Sequence, residues 1–180
     1  MLTDDFSKAV AIGAQVPNFS LPATTGQQVT LSVLSGPAVV FFTCNHCPYV
    51  VGWEGRLQEL ARTYGQSLHF VGINANDASR YPDDTWEKMV QRAQKGLPYL
   101  YVHDADQQVA KAWGAQVTPE FFVIDADHRL AYHGRLDGSH QDPRQAGEPT
   151  LRNAIESVLL GQQPQVATSP VHGCSVKWFL

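Results

Sequence analysis

The sequence has no long apolar run and no basic cluster. No stretch approaches the roughly 20 apolar residues needed to span a bilayer. Thirteen Lys and Arg stand against 17 Asp and Glu, giving a formal net charge of −4. A nucleic-acid binder ordinarily carries a marked basic excess, so neither nucleic acid nor a membrane is expected as a partner. The first residues, MLTDDFSKAV, hold two Asp and lack the basic start and apolar core of a secretory signal. The expected location is the cytoplasm. Cysteine is scarce too: Cys44, Cys47 and Cys174 are the only three. That number is too small and too odd for a secreted disulfide scaffold. In a reducing compartment the close pair Cys44 and Cys47 points instead to catalysis or metal binding.

What is present suits one domain. A chain of 180 residues, 43% hydrophobic and 17% charged, can bury a single core. The expected domain is 1–180, with 161–180 as a C-terminal tail. Two short apolar runs around Thr24 to Gln27 predict an N-terminal hairpin over Val16 to Leu34. Ala38 to Thr43 (AVVFFT) reads as a buried central strand. From about Cys47 to Tyr64 the residues Val50, Trp53, Leu57, Leu60 and Ala61 recur at helical spacing, and Gly65 ends the run. Further strands are predicted at Leu68 to Ile73, Tyr99 to Val102, Glu120 to Ile124 and Leu130 to His133. Further helices are predicted from Asp83 or Asp84 to Lys95, from Asp104 or Asp106 to Trp113, and over Leu151 to Leu160. Alternating strands and helices imply an α/β fold: parallel strands with helices on both faces, closed by an antiparallel pair.

The segment Thr43-Cys44-Asn45-His46-Cys47-Pro48 falls where the buried strand gives way to a helix. The free N–H groups and positive end of a helix favour a thiolate. Cysteines so placed ionise at roughly 3.5–7.5 instead of about 8.5. Cys44, nearest the strand end, is the expected exposed nucleophile. Cys47, one turn into the helix, is the expected resolving thiol. An imidazolium at His46 would favour the thiolate further. A structural zinc site needs four ligands, usually with a second Cys or His pair. No second pair exists, so the site reads as redox-active, with no cofactor. A copper or zinc carrier using Cys44, Cys47 and His46 or His172 is the alternative, because soft thiolates suit Cu(I).

Other residues read more plainly. Cys174, with His172 two residues earlier, is expected to be a small buried residue anchoring the tail with Trp178; the alternative is that it folds over the active site and resolves a disulfide or adds a metal ligand. His69, His103, His128, His133 and His140 show no ligand spacing and read as ordinary polar or partly buried residues. Trp53 and Trp86 read as packing residues, and Trp113 is expected beside the loop at Pro119. AVVFFT contains no acid, so a proton acceptor for Cys47 has to come from water or a residue such as Glu54.

The segments VPNFSLPATTG, FFTCNHCPYV, VGINANDASRYPDD, WGAQVTPEFFVIDADHRLAYHGRLD and GCSVKW resemble the thioredoxin superfamily. More narrowly, they resemble its peroxiredoxin-like branch, the alkyl hydroperoxide reductase/thiol-specific antioxidant (redoxin) proteins. The resemblance spans nearly the whole chain. It implies a thioredoxin-like fold with a mixed central sheet flanked by helices and an N-terminal β-hairpin extension. It also implies a cis Pro119 beside Cys44 and Cys47, where spacing alone would leave an ordinary trans proline. Thr118 is implied to offer backbone hydrogen bonds to a bound peptide or thiol. Two departures stand out. Thioredoxins proper carry Trp-Cys-Gly-Pro-Cys, whereas Thr43 and Asn45-His46 stand here. Peroxiredoxins carry Thr-x-x-Cys and a distal Arg; here Cys44 takes the Thr place, Cys47 takes the peroxidatic place, and no Arg flanks Thr118-Pro119. The expected function is a thiol–disulfide oxidoreductase, and more narrowly a disulfide reductase. Cys44, Cys47 and His46 would be catalytic, and Thr118 and Pro119 would bind substrate. Its partners would be a protein or small-molecule disulfide or thiol and a separate reductant. A thiol peroxidase acting on hydroperoxides is the neighbouring alternative.

Overall fold

A computed structural model describes all residues, Met1–Leu180. In chain order the elements are β1 (Leu2–Thr3), β2 (Ser20–Pro22), β3 (Gln28–Thr30), β4 (Ala38–Phe42), α1 (Pro48–Tyr64), β5 (His69–Asn74), α2 (Trp86–Ala93) and β6 (Leu100–His103). They continue with α3 (Gln108–Trp113), β7 (Val117–Thr118), β8 (Glu120–Ile124), β9 (Leu130–Gly134), α4 (Thr150–Leu159), β10 (Val171–His172) and β11 (Cys174–Ser175). Five strands form the central sheet in the order β6-β5-β4-β8-β9. β4, β5 and β6 run parallel, while β8 and β9 pair antiparallel. β2 and β3 form the expected antiparallel hairpin.

Every residue of β4 is buried, because both faces of the sheet are covered. Successive side chains of a strand point to opposite faces. Ala38, Val40 and Phe42 therefore enter one core with Val71, Ile73, Trp113 and Phe122. Val39 and Phe41 enter the other, against Trp53 and Leu57 of α1 and Leu151 and Ile155 of α4. Burying each of these large side chains is worth about 1.5–3 kcal/mol. Trp113 packs among Phe19, Phe42 and Phe122, with its indole N–H on the Pro17 carbonyl at 3.1 Å. This five-stranded mixed sheet, with helices on both faces and a leading hairpin, is the thioredoxin-like arrangement.

Three places depart from the sequence reading. Pro48 is the first residue of α1, where a missing N–H is harmless, so Cys47 is the N-cap residue and not one turn inside. Thr85 caps α2, while Pro82–Asp84 form a 3-10 turn that buries Asp84. Residues 161–180 are more than a tail. β10 pairs with β1, β11 pairs with β7, and the N-terminal ammonium donates to the Gly173 carbonyl at 2.6 Å.

Candidate active site

The end of β4, the start of α1 and the cis Thr118–Pro119 peptide meet at one point. Cys44 Sγ lies 3.4 Å from Thr118 Oγ1, and the Cys47 thiol donates to the Thr118 carbonyl at 3.1 Å. The sequence-predicted Cys44, Cys47, Thr118 and Pro119 are therefore brought together. The expected exposed nucleophile is absent: Cys44 and Cys47 are each 1% exposed.

The two thiols sit in opposite fields. Cys47 caps α1. The Cys44 thiol proton acts most strongly in favour of charge on its sulfur. Burial opposes, and the Cys174 thiol and the backbone N–H groups of Val50 and Cys174 favour the charge again. These donors outweigh the burial, and the Cys47 pKa is pushed down to about 4. Cys44 is pushed the other way. Its interaction with Cys47, its burial and the Asp84 carboxylate all favour the neutral thiol. The surroundings thus favour negative charge on Cys47 over Cys44, and the Cys44 thiol beside Cys47 is the largest cause.

The buried acid missing from AVVFFT comes from Asp84. Its Oδ1 accepts from the Asn45 N–H at 2.8 Å and from Asn74 Nδ2 at 3.0 Å. Its Oδ2 accepts from Asn76 Nδ2 at 2.8 Å and lies 3.1 Å from His46 Nδ1. His46 thus turns to Asp84, and the charge that bears on a thiol here is the carboxylate on Cys44. Tyr101 Oη closes the loop by donating to Asn45 Oδ1 at 2.7 Å. Cys44 Sγ, a His46 nitrogen and an Asp84 oxygen lie within 4.8 Å of one another. This is a mixed soft and hard donor set of the kind zinc accepts. His172, the other expected ligand, packs instead on Tyr49 and His140 with ring centroids 4.5 and 5.7 Å away.

Two further groups hold the loops. Arg92 donates to the carbonyls of Cys44 at 3.3 Å and Asn45 at 3.0 Å, and pairs with Glu54 at 2.6 Å. Glu54 is therefore committed to Arg92 and is not the proton acceptor for Cys47. Behind Pro119, the buried Glu120 accepts from the N–H groups of Gln116 and Val117 at 2.7 and 2.9 Å and meets His133 Nε2 at 2.6 Å. Asp84, Asn74, Asn76, Arg92 and Glu120 were not legible as site residues, and Cys174 was legible only as the less favoured alternative. Only the Asp83-Asp84 pair gave a local signal, and it read as a helix cap.

Residues 12–133 match the model of the AhpC/TSA family. The chain belongs to the AhpC/TSA family. Among solved structures it is similar to an uncharacterized conserved protein from Geobacillus kaustophilus, with 36% identity and a TM-score of 0.88 over 99% of this chain and 96% of that one. It is also similar to the peroxidoxin BcpB of Mycobacterium tuberculosis, with 27% identity and a TM-score of 0.57 over 68% of this chain and 83% of that one. A curated relative, the thiol:disulfide interchange protein DsbE of Allochromatium vinosum, is 28% identical over 62% of this chain and 59% of its own length. The match therefore spans somewhat over half of that relative. Within the AhpC/TSA frame this chain is marked by a Cys-x-x-Cys pair whose second member holds the helix cap.

Proposed function

We propose that this AhpC/TSA-family chain is a thiol–disulfide oxidoreductase acting as a disulfide reductase, with Cys47 as the attacking thiolate and Cys44 as its resolving partner. The observation that carries the reading is Cys47 at the cap of α1, its negative form favoured by surrounding N–H and S–H groups, with the Cys44 thiol beside it. The name of the Allochromatium vinosum relative, a thiol:disulfide interchange protein, supports the same reaction class.

The Cys47 thiolate attacks one sulfur of a substrate disulfide and expels the other as a thiolate, leaving a mixed disulfide on Cys47. Cys44 then loses its proton, attacks Cys47 Sγ and expels the second thiol. Two electrons have passed to the substrate, and Cys44–Cys47 is oxidised. The neighbouring Cys47 sulfur first, then burial and the Asp84 carboxylate, keep Cys44 protonated and so unreactive, and a mixed disulfide on Cys47 removes the first of these. The His46–Asp84 contact and the Arg92 bonds to the Cys44 and Asn45 carbonyls fix the loop between the two thiols.

The test is a reductase assay on hydroxyethyl disulfide with dithiothreitol as electron source, run beside a peroxide-consumption assay. Cys47→Ser should lose at least ~100-fold of the disulfide activity. Cys44→Ser combined with Cys174→Ser should trap the substrate thiol on Cys47. A trapped adduct on Cys44 in Cys47→Ser, with activity retained, contradicts the assignment. Consumption of peroxide with no reduction of the disulfide replaces the reductase with a thiol peroxidase. The Arg92 guanidinium, committed to backbone carbonyls and Glu54, offers no support for that second activity.

A further inference from the structure

The third cysteine is not a bystander. Cys174 packs against the cluster formed by Cys44, Cys47 and Val50. Its position follows from the register of β11 on β7, which sets Cys174 directly opposite Thr118 and Ser175 opposite Val117. Gly173 permits this approach, since a Cβ built there would collide with the Thr118 carbonyl oxygen. The segment is pinned on both sides. Val176 N–H bonds to the Gln116 carbonyl at 3.0 Å, and Gly173 N–H bonds to the Met1 carbonyl at 2.9 Å. Lys177 N–H bonds to Asn76 Oδ1 at 2.9 Å, and Gln107 Nε2 bonds to the Lys177 carbonyl at 2.8 Å. The edge expected to bind a substrate peptide at Thr118 is thus occupied by the chain's own strand, with a cysteine at the position facing the redox pair. Of the three cysteines, only Cys174 is partly exposed.

We infer that Cys174 is the outer thiol of a three-cysteine relay, forming a disulfide with Cys47 and serving as the point where a low-molecular-weight thiol reductant enters. The inference rests on the reading of Cys47 as the attacking thiolate. A substrate disulfide RSSR leaves Cys47–S–S–R and one RS⁻, which takes a proton from solvent. In the full chain Cys44 closes the Cys44–Cys47 disulfide and frees the second RSH. The Cys174 thiol then attacks Cys47 Sγ, forms the Cys47–Cys174 bond, and its proton goes to the departing Cys44 thiolate, while in a chain without Cys44 the same attack expels the second RSH directly. A reductant thiol then attacks the accessible Cys174 sulfur and expels the Cys47 thiolate. A second reductant thiol frees Cys174, and the two reductant thiols leave as their disulfide. Leaving-group chemistry favours this polarity. A thiol with a depressed pKa departs faster than one with a raised pKa, and Cys174, pushed up to about 11 by burial and by Cys47, is the poorer leaving group. The paired strand edge also restricts the substrate: with β7 already taken by β11, a small disulfide fits the site better than an extended peptide.

The experiment is single-turnover oxidation of reduced Cys44→Ser and Cys44→Ala with hydroxyethyl disulfide, acid quench and mapping of disulfides by mass spectrometry. The expected product is a Cys47–Cys174 disulfide with two equivalents of mercaptoethanol released. Adding Cys174→Ser should stop the reaction at a mercaptoethanol adduct on Cys47 with one equivalent released. A persistent Cys47 adduct in the single variants, with Cys174 still open to alkylation, overturns the relay and leaves the reductase reading standing. No adduct on Cys47 in any variant overturns both. With Cys44 and Cys47 both kept, Cys174→Ser should slow re-reduction by mercaptoethanol ~10-fold or more relative to the unaltered chain, and an unchanged rate counts against Cys174 as the entry point.

Discussion

Asp84 and Asn76 join the redox loop to the C-terminal segment. Asn76 donates its side-chain amide to Asp84 Oδ2 at 2.8 Å and accepts the Lys177 N–H on its own oxygen at 2.9 Å. Asp84 in turn accepts the Asn45 N–H and faces His46. One carboxylate thereby fixes the peptide between the two active cysteines and, through one amide, the strand that carries the third.

Asp84→Asn tests that linkage. An amide offers one acceptor oxygen where the carboxylate offers two, and its NH2 faces amide donors. A buried donor left unpaired costs ~1–3 kcal/mol, so the melting temperature should fall. Losing the negative charge should also lower the Cys44 pKa, because Asp84 is one of the groups holding it up. Denaturation midpoints with thiol titration of the Cys47→Ser background check both. Unchanged stability together with an unchanged Cys44 contradicts the role given to Asp84.

Glu120 and His133 form a buried contact at 2.6 Å directly behind Pro119, with His133 between Phe6 and Phe122 at ring distances of 4.2 and 4.1 Å. Removing one partner of a buried pair typically costs ~3–5 kcal/mol. Glu120→Ala should fall in that range. It also frees the N–H groups of Gln116 and Val117 and so loosens β7, where Cys174 docks. Urea titration measures the loss, and amide exchange at residues 116–118 reads the loosening. Full protection in a stable variant goes against it.

Gly173→Ala should detach the strand without touching a sulfur. A Cβ there meets the Thr118 carbonyl, which belongs to the backbone and cannot swing away. Labelling of Cys47 by a bulky maleimide should then speed up ~10-fold or more, as expected when a local opening replaces a closed edge. An unchanged labelling rate would show that β11 does not cover Cys47.

Much of the fold was legible. AVVFFT read as a strand buried on both faces because an unbroken apolar run has few other uses, and Glu120–Ile124 appeared where expected. The Cys-x-x-Cys site and its place at a strand-to-helix junction were also readable. Which cysteine ionises was not. It depends on the direction of the Cys44–Cys47 hydrogen bond, and on a carboxylate at Asp84 that lies 40 positions beyond Cys44. The strands β10 and β11 are two residues each. Nothing periodic can show in so short a segment, and their partners β1 and β7 are equally short. Cys174 was therefore read first as a tail anchor, and its folding over the active site, the alternative reading, is what the pairing of β11 with β7 produces.

The most direct test of the central claim is the pH dependence of alkylation of the reduced chain, with the labelled residue identified by mass spectrometry at each pH. With a Cys47 pKa near 4, the thiolate is present above that pH and is lost as the pH falls through it. The account predicts that Cys47 is labelled first, at a rate flat through neutral pH and falling only below about pH 5. Labelling first at Cys44, or a rate that climbs ~10-fold per pH unit toward 8.5 as for an ordinary thiol, would contradict it.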